Sequence, residues 1–332
     1  MMTDVTPGTD QTIGTALAWH RAGRGAALAT VIATWGSAPR PVGARMAVSG
    51  QGDMAGSVSG GCVEGAVVLE ALAALAAGQP RLLRYGVSDT DAFAAGLACG
   101  GTIEIMVEPV GDAPPSLTDA MLDAVAKARA TGQAVALVTH LGTWQRRMLR
   151  GAEDPAVAAR LAQDLSGREA DGRFIAVHNP PLRLIIIGAV HIAQALLPMA
   201  RACGYGCTVI DPRTSFAAAA RFPGDVVLGD WPDAAVTTLV PDARTAVVTL
   251  THDPKLDDPA ILAALASKAF YIGCLGSKRT HAQRLDRLRA SGAAAPELAR
   301  LHAPVGLDIG AKTPGEIAVS ILAQMVQVLR ER

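Results

Sequence analysis

The 332-residue chain is short of aromatics, cysteine and net charge, and each shortage closes off a class of function. Phe, Trp and Tyr make up 4% of residues, too few for a platform on which nucleic-acid bases could stack. The formal charge is +0, so no basic excess points to a nucleic-acid partner and no acidic excess points to disorder. Five cysteines make no disulfide framework, and the odd count agrees with a reducing, cytoplasmic setting. Apolar runs such as residues 66–77 are too short to span a bilayer, which argues against a membrane partner. The first residues carry Asp4 and Asp10 and no hydrophobic core, unlike a signal peptide.

What remains is half hydrophobic, with 34 glycines and 20 prolines, a composition suited to a compact, loop-punctuated α/β protein. Residues 27–34 read as an apolar strand. Residues 45–49 and 54–58 flank a Gly50-Gln51-Gly52-Asp53 turn and read as a hairpin. A helix over about 63–77 follows, then strands near 81–87 and 102–107, joined by a loop carrying Asp89, Asp91 and Gly96. Asp112-Ala113-Pro114-Pro115 reads as a linker, and Asn179-Pro180-Pro181 closes the middle segment because two prolines interrupt helix and sheet alike. From Leu182 the pattern turns to regular strand–helix alternation. Residues 184–187 form a continuous apolar run of the kind a parallel strand buried on both faces requires. The expected architecture is α/β, an N-terminal mixed α/β domain followed by a Rossmann-like doubly wound parallel sheet. The divisions fall at 1–111, at a connecting α/β segment 112–181 packed with the N-terminal part, and at 182–332.

Gly56-Ser57-Val58-Ser59-Gly60-Gly61-Cys62-Val63-Glu64 places small residues and one cysteine ahead of an apolar helix. Loop amides and the helix N-terminus together make an anion site, and the same position favours the thiolate of Cys62. Cys99-Gly100-Gly101 likewise pairs a cysteine with a double glycine, whereas Cys203 and Cys207 sit in apolar context and read as structural. Two thiols do not complete a zinc site, and His20, His140 and His178 lack the spacing to supply the rest.

Gly188-Ala189-Val190-His191-Ile192-Ala193 falls at a strand-to-helix turn, with Asp211 about 20 residues on, as in a dinucleotide fingerprint. Val190 stands where a glycine would let the backbone approach a pyrophosphate, which argues against NAD(P). Asp211-Pro212-Arg213, Thr251-His252-Asp253 and Gly273-Cys274-Leu275-Gly276-Ser277-Lys278-Arg279 are further strand-end loops. Arg213 suits a phosphate, His252 a general base or a neighbour of a helix cap, and Gly276-Ser277-Lys278 an anion cradle. Arg284, Arg287 and Arg289 are read as members of a solvated basic helix.

Together with Gly306-Leu307-Asp308-Ile309-Gly310-Ala311, these motifs resemble the XdhC/CoxI family, accessory proteins of molybdenum-containing hydroxylases, over nearly the whole chain. The resemblance implies a chaperone without turnover of its own. It would bind molybdenum cofactor, hold it while a cysteine desulfurase supplies sulfur, and deliver it to an apo-hydroxylase of the xanthine dehydrogenase type. A homodimer is the expected assembly. Candidate cofactor contacts are Ser59, Gly60, Gly61, Cys62, Glu64, Cys99, Gly100, Gly101, Gly188, His191, Asp211, Arg213, His252, Asp253, Gly276, Ser277, Lys278 and Asp308, with Cys62 the candidate molybdenum ligand and no catalytic residue. The cleft between the domains is the expected site. The residues alone leave two alternatives open, an NAD(P)-dependent oxidoreductase using His252 and thiol redox chemistry through Cys62 and Cys99.

Overall fold

The computed structural model describes residues 12–36, 40–86 and 101–331. The N-terminal aspartates, the loop with Asp89, Asp91 and Gly96, the strand end at Val87, and the pair Cys99 and Gly100 lie outside the described residues. The chain divides into two compact units at Pro180/Pro181.

In the first unit the order is α1 (Thr12–Arg21), β1 (Ala26–Trp35), β2 (Arg45–Ser49), β3 (Met54–Gly56), α2 (Glu64–Ala77), β4 (Arg81–Tyr85) and β5 (Thr102–Gly111). Then come β6 (Leu117–Thr118), α3 (Asp119–Ala130), β7 (Val135–His140), β8 (Arg146–Leu149), α4 (Pro155–Gln163), β9 (Gly167–Arg168) and β10 (Arg173–His178). β1 to β5 form a sheet in the order β3-β2-β1-β5-β4, with β6 added to β5, and β7 to β10 form a second in the order β8-β7-β10-β9. Alternate residues of a strand face opposite sides, and both sides of β1 are covered. Ala27, Ala29 and Val31 join Val67, Ala71 and Ala74 of α2, whereas Leu28 and Ile32 join α1, α3 and the second sheet's Leu137, Phe174 and Ala176. This two-sided burial is why β1 reads as a largely apolar run, interrupted by Thr30 and Thr34, although its sheet is antiparallel. The hairpin of residues 45–58 forms as expected, with Ala47 opposite Ala55. α1 has no counterpart in the sequence reading, although Ile13, Ala16 and Leu17 show helical spacing and all are buried.

The second unit comprises β11 (Leu182–Ile187), α5 (His191–Ala202), β12 (Tyr205–Ile210), β13 (Val226–Leu228), α6 (Pro232–Leu239), β14 (Thr245–Thr249) and α7 (Pro254–Leu265). β15 (Tyr271–Cys274), α8 (Lys278–Ala290), α9 (Ala295–Leu298), β16 (Leu301–His302) and α10 (Pro314–Arg330) complete it. Every pairing in the sheet β13-β12-β11-β14-β15-β16 is parallel. Leu184 and Ile186 pack toward α5 and α10, and Ile185 and Ile187 toward α6, α7 and α8. The Rossmann-like doubly wound sheet is therefore present. The chain leaves β11 toward β12 and later returns to β14 on its other side, which opens a crevice at the carboxyl ends of these two strands. α10 starts with a reciprocal cap, Thr313 accepting from the Glu316 amide and Glu316 from the Thr313 amide.

One buried ion pair ties the two sheets of the first unit. Arg146 Nε of β8 donates to Glu108 Oε1 of β5 at 2.6 Å, the side chains being 3% and 1% exposed. Burial pushes the Glu108 carboxyl up, and Arg146 opposes that rise. Truncating one partner of such a pair strands the other charge in a low dielectric. Glu108→Ala is expected to cost about 3–5 kcal/mol in chemical denaturation of the purified chain.

Candidate functional site

The loop between β3 and α2 closes on itself. Glu64, the first residue of α2, turns its carboxylate back over the loop. Oε1 accepts from the amides of Val58 (3.2 Å), Ser59 (2.9 Å) and Gly60 (3.1 Å) and from the Ser57 hydroxyl (2.7 Å). Oε2 accepts from the Gly61 amide at 2.9 Å and from the Ser59 hydroxyl. Ser59 Oγ in turn accepts from the amides of Cys62 and Val63 at 3.0 Å each. Gly60 and Gly61 both hold positive φ, which lets four successive amides converge on one carboxylate. The anion site expected of this loop is thus filled by the chain's own Glu64. Burial pushes the Glu64 pKa up, but hydrogen bonds from Ser59 and Ser57 outweigh it and bring the value down to about 2. Cys62 is a free, half-buried thiol packed on the cluster beneath α2. Gly101 is buried just before β5, while Cys99 and Gly100 lie outside the described residues.

The other candidates line the carboxyl edge of the second unit's sheet. Gly188, after β11, has φ 108°, and a Cβ there would come within 2.8 Å of Thr251 Cγ2, so only glycine lets the loops after β11 and β14 touch. Asp211, at the end of β12, is fully buried. Its Oδ2 accepts from the Ala189 amide (2.9 Å) and Arg213 Nη2 (2.7 Å), and its Oδ1 from the Arg213 amide (3.0 Å) and Nε (2.9 Å). Burial raises the Asp211 pKa, and the hydrogen bonds from Arg213 and Ala189 more than reverse it. Both oxygens are committed within the chain, so a ribose diol would have to displace Arg213. Val190 precedes the first turn of α5 and packs against the core, while His191 is exposed and lies 3.2 Å from Gln194 Oε1.

Sequence reasoning missed the residues that cover this corner. Arg221 Nη1 donates to the carbonyls of Ala189 (2.8 Å) and Phe216 (2.7 Å), and the Arg213 guanidinium lies 4.0 Å from the Phe216 ring centroid. No local motif marks Arg221, because its partners come from loops brought together by folding.

After β14, Asp253 caps α7 through the Lys255 amide, and Thr251 Oγ1 donates to Asp257 Oδ1 at 2.7 Å. His252 is exposed and holds φ 63°. After β15, Gly276 has φ 139°, Ser277 caps α8 through the Thr280 amide, and Lys278 is exposed. Arg284 departs from its expected place on a solvated face. It is 2% exposed, donates to the Leu275 carbonyl at 2.8 Å and stands 3.8 Å from Asp257 Oδ2. Its Nε and Nη1 and Asp257 Oδ2 are buried without a hydrogen-bond partner. Arg287 is held by Asp258 and Arg289 by Asp286. Asp308 lies exposed in the loop before α10. The structure therefore joins the loops after β12, β11, β14 and β15 into one edge, and the Cys62 loop belongs to the other unit. Among the described residues no three His, Cys, Asp or Glu side chains gather as a metal site.

The XdhC Rossmann domain family matches residues 184–325, and the XdhC and CoxI family matches residues 19–86. The molybdenum cofactor insertion chaperone PaoD of Escherichia coli (strain K12) is 34% identical over 311 residues, 92% of this chain and 84% of that protein. A probable xanthine dehydrogenase subunit from Bacillus subtilis (strain 168) is 28% identical, over 91% of this chain and 92% of that protein. The crystal structure of a xanthine dehydrogenase from Bacillus halodurans shares the fold with a TM-score of 0.75 at 27% identity, covering 97% of this chain and 96% of that one.

Two outcomes follow from this geometry. Glu64 contributes stability that is full above the unfolded carboxyl value of about 4.3 and is lost as pH falls toward about 2. Glu64→Gln should therefore lower stability at neutral pH and flatten the acid limb between those values, read by denaturation at stepped pH. Arg213→Ala leaves Asp211 without its two guanidinium hydrogen bonds and should cost about 2–4 kcal/mol in the same assay.

Proposed function

This chain belongs to the XdhC and CoxI family, and from that premise we propose that it is a molybdenum-cofactor maturation factor. It binds the cofactor, holds it while a cysteine desulfurase provides the terminal sulfur, and hands it to an apo molybdenum hydroxylase of the xanthine dehydrogenase type. It turns over no substrate of its own, and it acts in the cytoplasm as a homodimer. The relationship to the chaperone PaoD, over 92% of this chain, supports the reading at the level of maturation.

The observation that carries the reading at the level of residues is the edge formed by the loops after β11, β14 and β15. A molybdopterin is a flat heterocycle ending in a phosphate, so it needs a crevice with positive charge at one side. Lys278 is exposed at the first turn of α8, where helix amides favour a phosphate. Gly188 and Gly276 hold positive φ and lie against Thr251 and Thr280, so these strand-end loops close tightly on their neighbours. In the first unit Cys62, a half-buried thiol in a loop whose charge balance Glu64 already provides, is kept as the candidate thiolate ligand. The engagement of Asp211 by Arg213 and the branched Val190 weigh against a nicotinamide dinucleotide in the same crevice.

Anaerobic titration of the purified chain with molybdenum cofactor tests the proposal. Saturable binding is expected, weakened about tenfold in Lys278→Ala through loss of the phosphate contact. In Cys62→Ala the cofactor should still bind but exchange faster. An absence of saturable binding by the wild-type chain, with saturable heat on titration of NAD, would overturn the reading in favour of an oxidoreductase.

A further inference from the structure

The second sheet of the first unit ends in an edge with its own binding character. Among the described residues β8 is the outer strand of the order β8-β7-β10-β9. The His140 amide donates to the Gln145 carbonyl at 2.9 Å, and the register pairs Val138 with Arg147 and Ala136 with Leu149. In an antiparallel ladder hydrogen-bonded pairs recur every second residue, so Arg147 and Leu149 bond inward. The bond from the Leu141 amide to Gly172 sets the opposite phase on the other side of β7, as two-sided pairing requires. The amides and carbonyls of Arg146 and Met148 consequently point away from the sheet. Arg146 agrees with this. Its side chain is 3% exposed while the residue as a whole is half-buried, so its accessible surface is main chain.

A cavity of 580 Å³ lies along this edge. Its walls include Met121 and Trp144, packed on one hydrophobic cluster, and Val138 and Leu149, members of another. The groove thus takes in both faces of the strand, as a docked strand needs for its alternating side chains. Its acids are committed. Glu153 accepts from the Arg150 amide, and Asp154 caps α4 and pairs with Arg173. Arg147, exposed on the same wall, makes no ion pair among the described residues, so the edge carries uncompensated positive charge.

We propose that the β8 edge docks an extended, acidic segment of a partner protein as an added strand. The partner's backbone pairs with Arg146 and Met148, and its carboxylates face Arg147. A second copy of this chain is a poor occupant, because edge-to-edge pairing of Arg146-Arg147-Met148-Leu149-Arg150 would set arginines against arginines. The inference is independent of the cofactor reading.

The test uses the isotope-labelled full chain and an acetylated, amidated heptapeptide of alternating glutamate and valine. Amide hydrogen exchange at Arg146 and Met148 should slow about tenfold on peptide binding, with Arg147 and Leu149 already slow in the free protein. Arg147→Glu should weaken binding about fivefold while leaving the fold intact. The same peptide N-methylated at alternate residues should fail in one phase and bind in the other. Equal binding of a lysine–valine peptide, or of both methylated phases, would overturn the proposal. So would slow exchange at Arg146 and Met148 in the free protein that quickens on dilution, since a second copy would then cover the edge.

Discussion

A buried carboxylate has to find its hydrogen-bond donors within the protein, and this requirement organises both units. Glu64, Glu108 and Asp211 are almost wholly removed from solvent, and each is answered differently. Glu64 gathers four amides of its own preceding loop. Glu108 takes a guanidinium from another sheet, and Asp211 takes one from two residues on together with an amide of the neighbouring strand end. The solutions at Glu64 and Asp211 fix loop segments that have no regular structure to hold them, and the one at Glu108 ties two sheets together. The cost of leaving such groups unpaired, about 1–3 kcal/mol each and more for charges, is what keeps these loops in one conformation.

The same principle separates loops that are finished from loops that are not. The Cys62 loop is internally satisfied, so its amides form a rigid frame and present a thiol. The edge of the second unit is less complete. Asp257 and Arg284 face each other at 3.8 Å, with Arg284 Nε and Nη1 and Asp257 Oδ2 unpaired. Burial pushes the Asp257 carboxyl up, and the Thr251 hydroxyl and Arg284 oppose that rise. A charged pair held just out of contact beneath two glycine-bearing loops is a place where an incoming anion changes the local balance most. That contrast makes the loops after β14 and β15 the less satisfied of the two.

Much of the architecture was legible in the order of residues. The run at 184–187 announced a strand buried on both faces, because such a signal acts over a few residues and needs no distant partner. α1 was missed although its apolar spacing is visible, since ten residues show a helical period over fewer than about three turns. Arg284 looked like its neighbours Arg287 and Arg289 on a basic helix. A helix shows all its faces equally in sequence, and only packing selects the one that meets Asp257.

By itself the sequence determined that a parallel doubly wound sheet follows a mixed α/β part, and that glycines fall where strands end. Those outcomes rest on hydrophobic period and backbone conformational freedom, which are local. The tertiary structure alone decided that Glu64 fills the amide cradle ahead of Cys62, that Arg213 and Arg221 close over Ala189 and Phe216, and that β8, paired with β7 on one side, is the outer strand of its sheet among the described residues. Each of these depends on hydrogen-bond directions reaching across turns or between strands. Such directions exist only once the chain has brought distant residues within about 3 Å of one another.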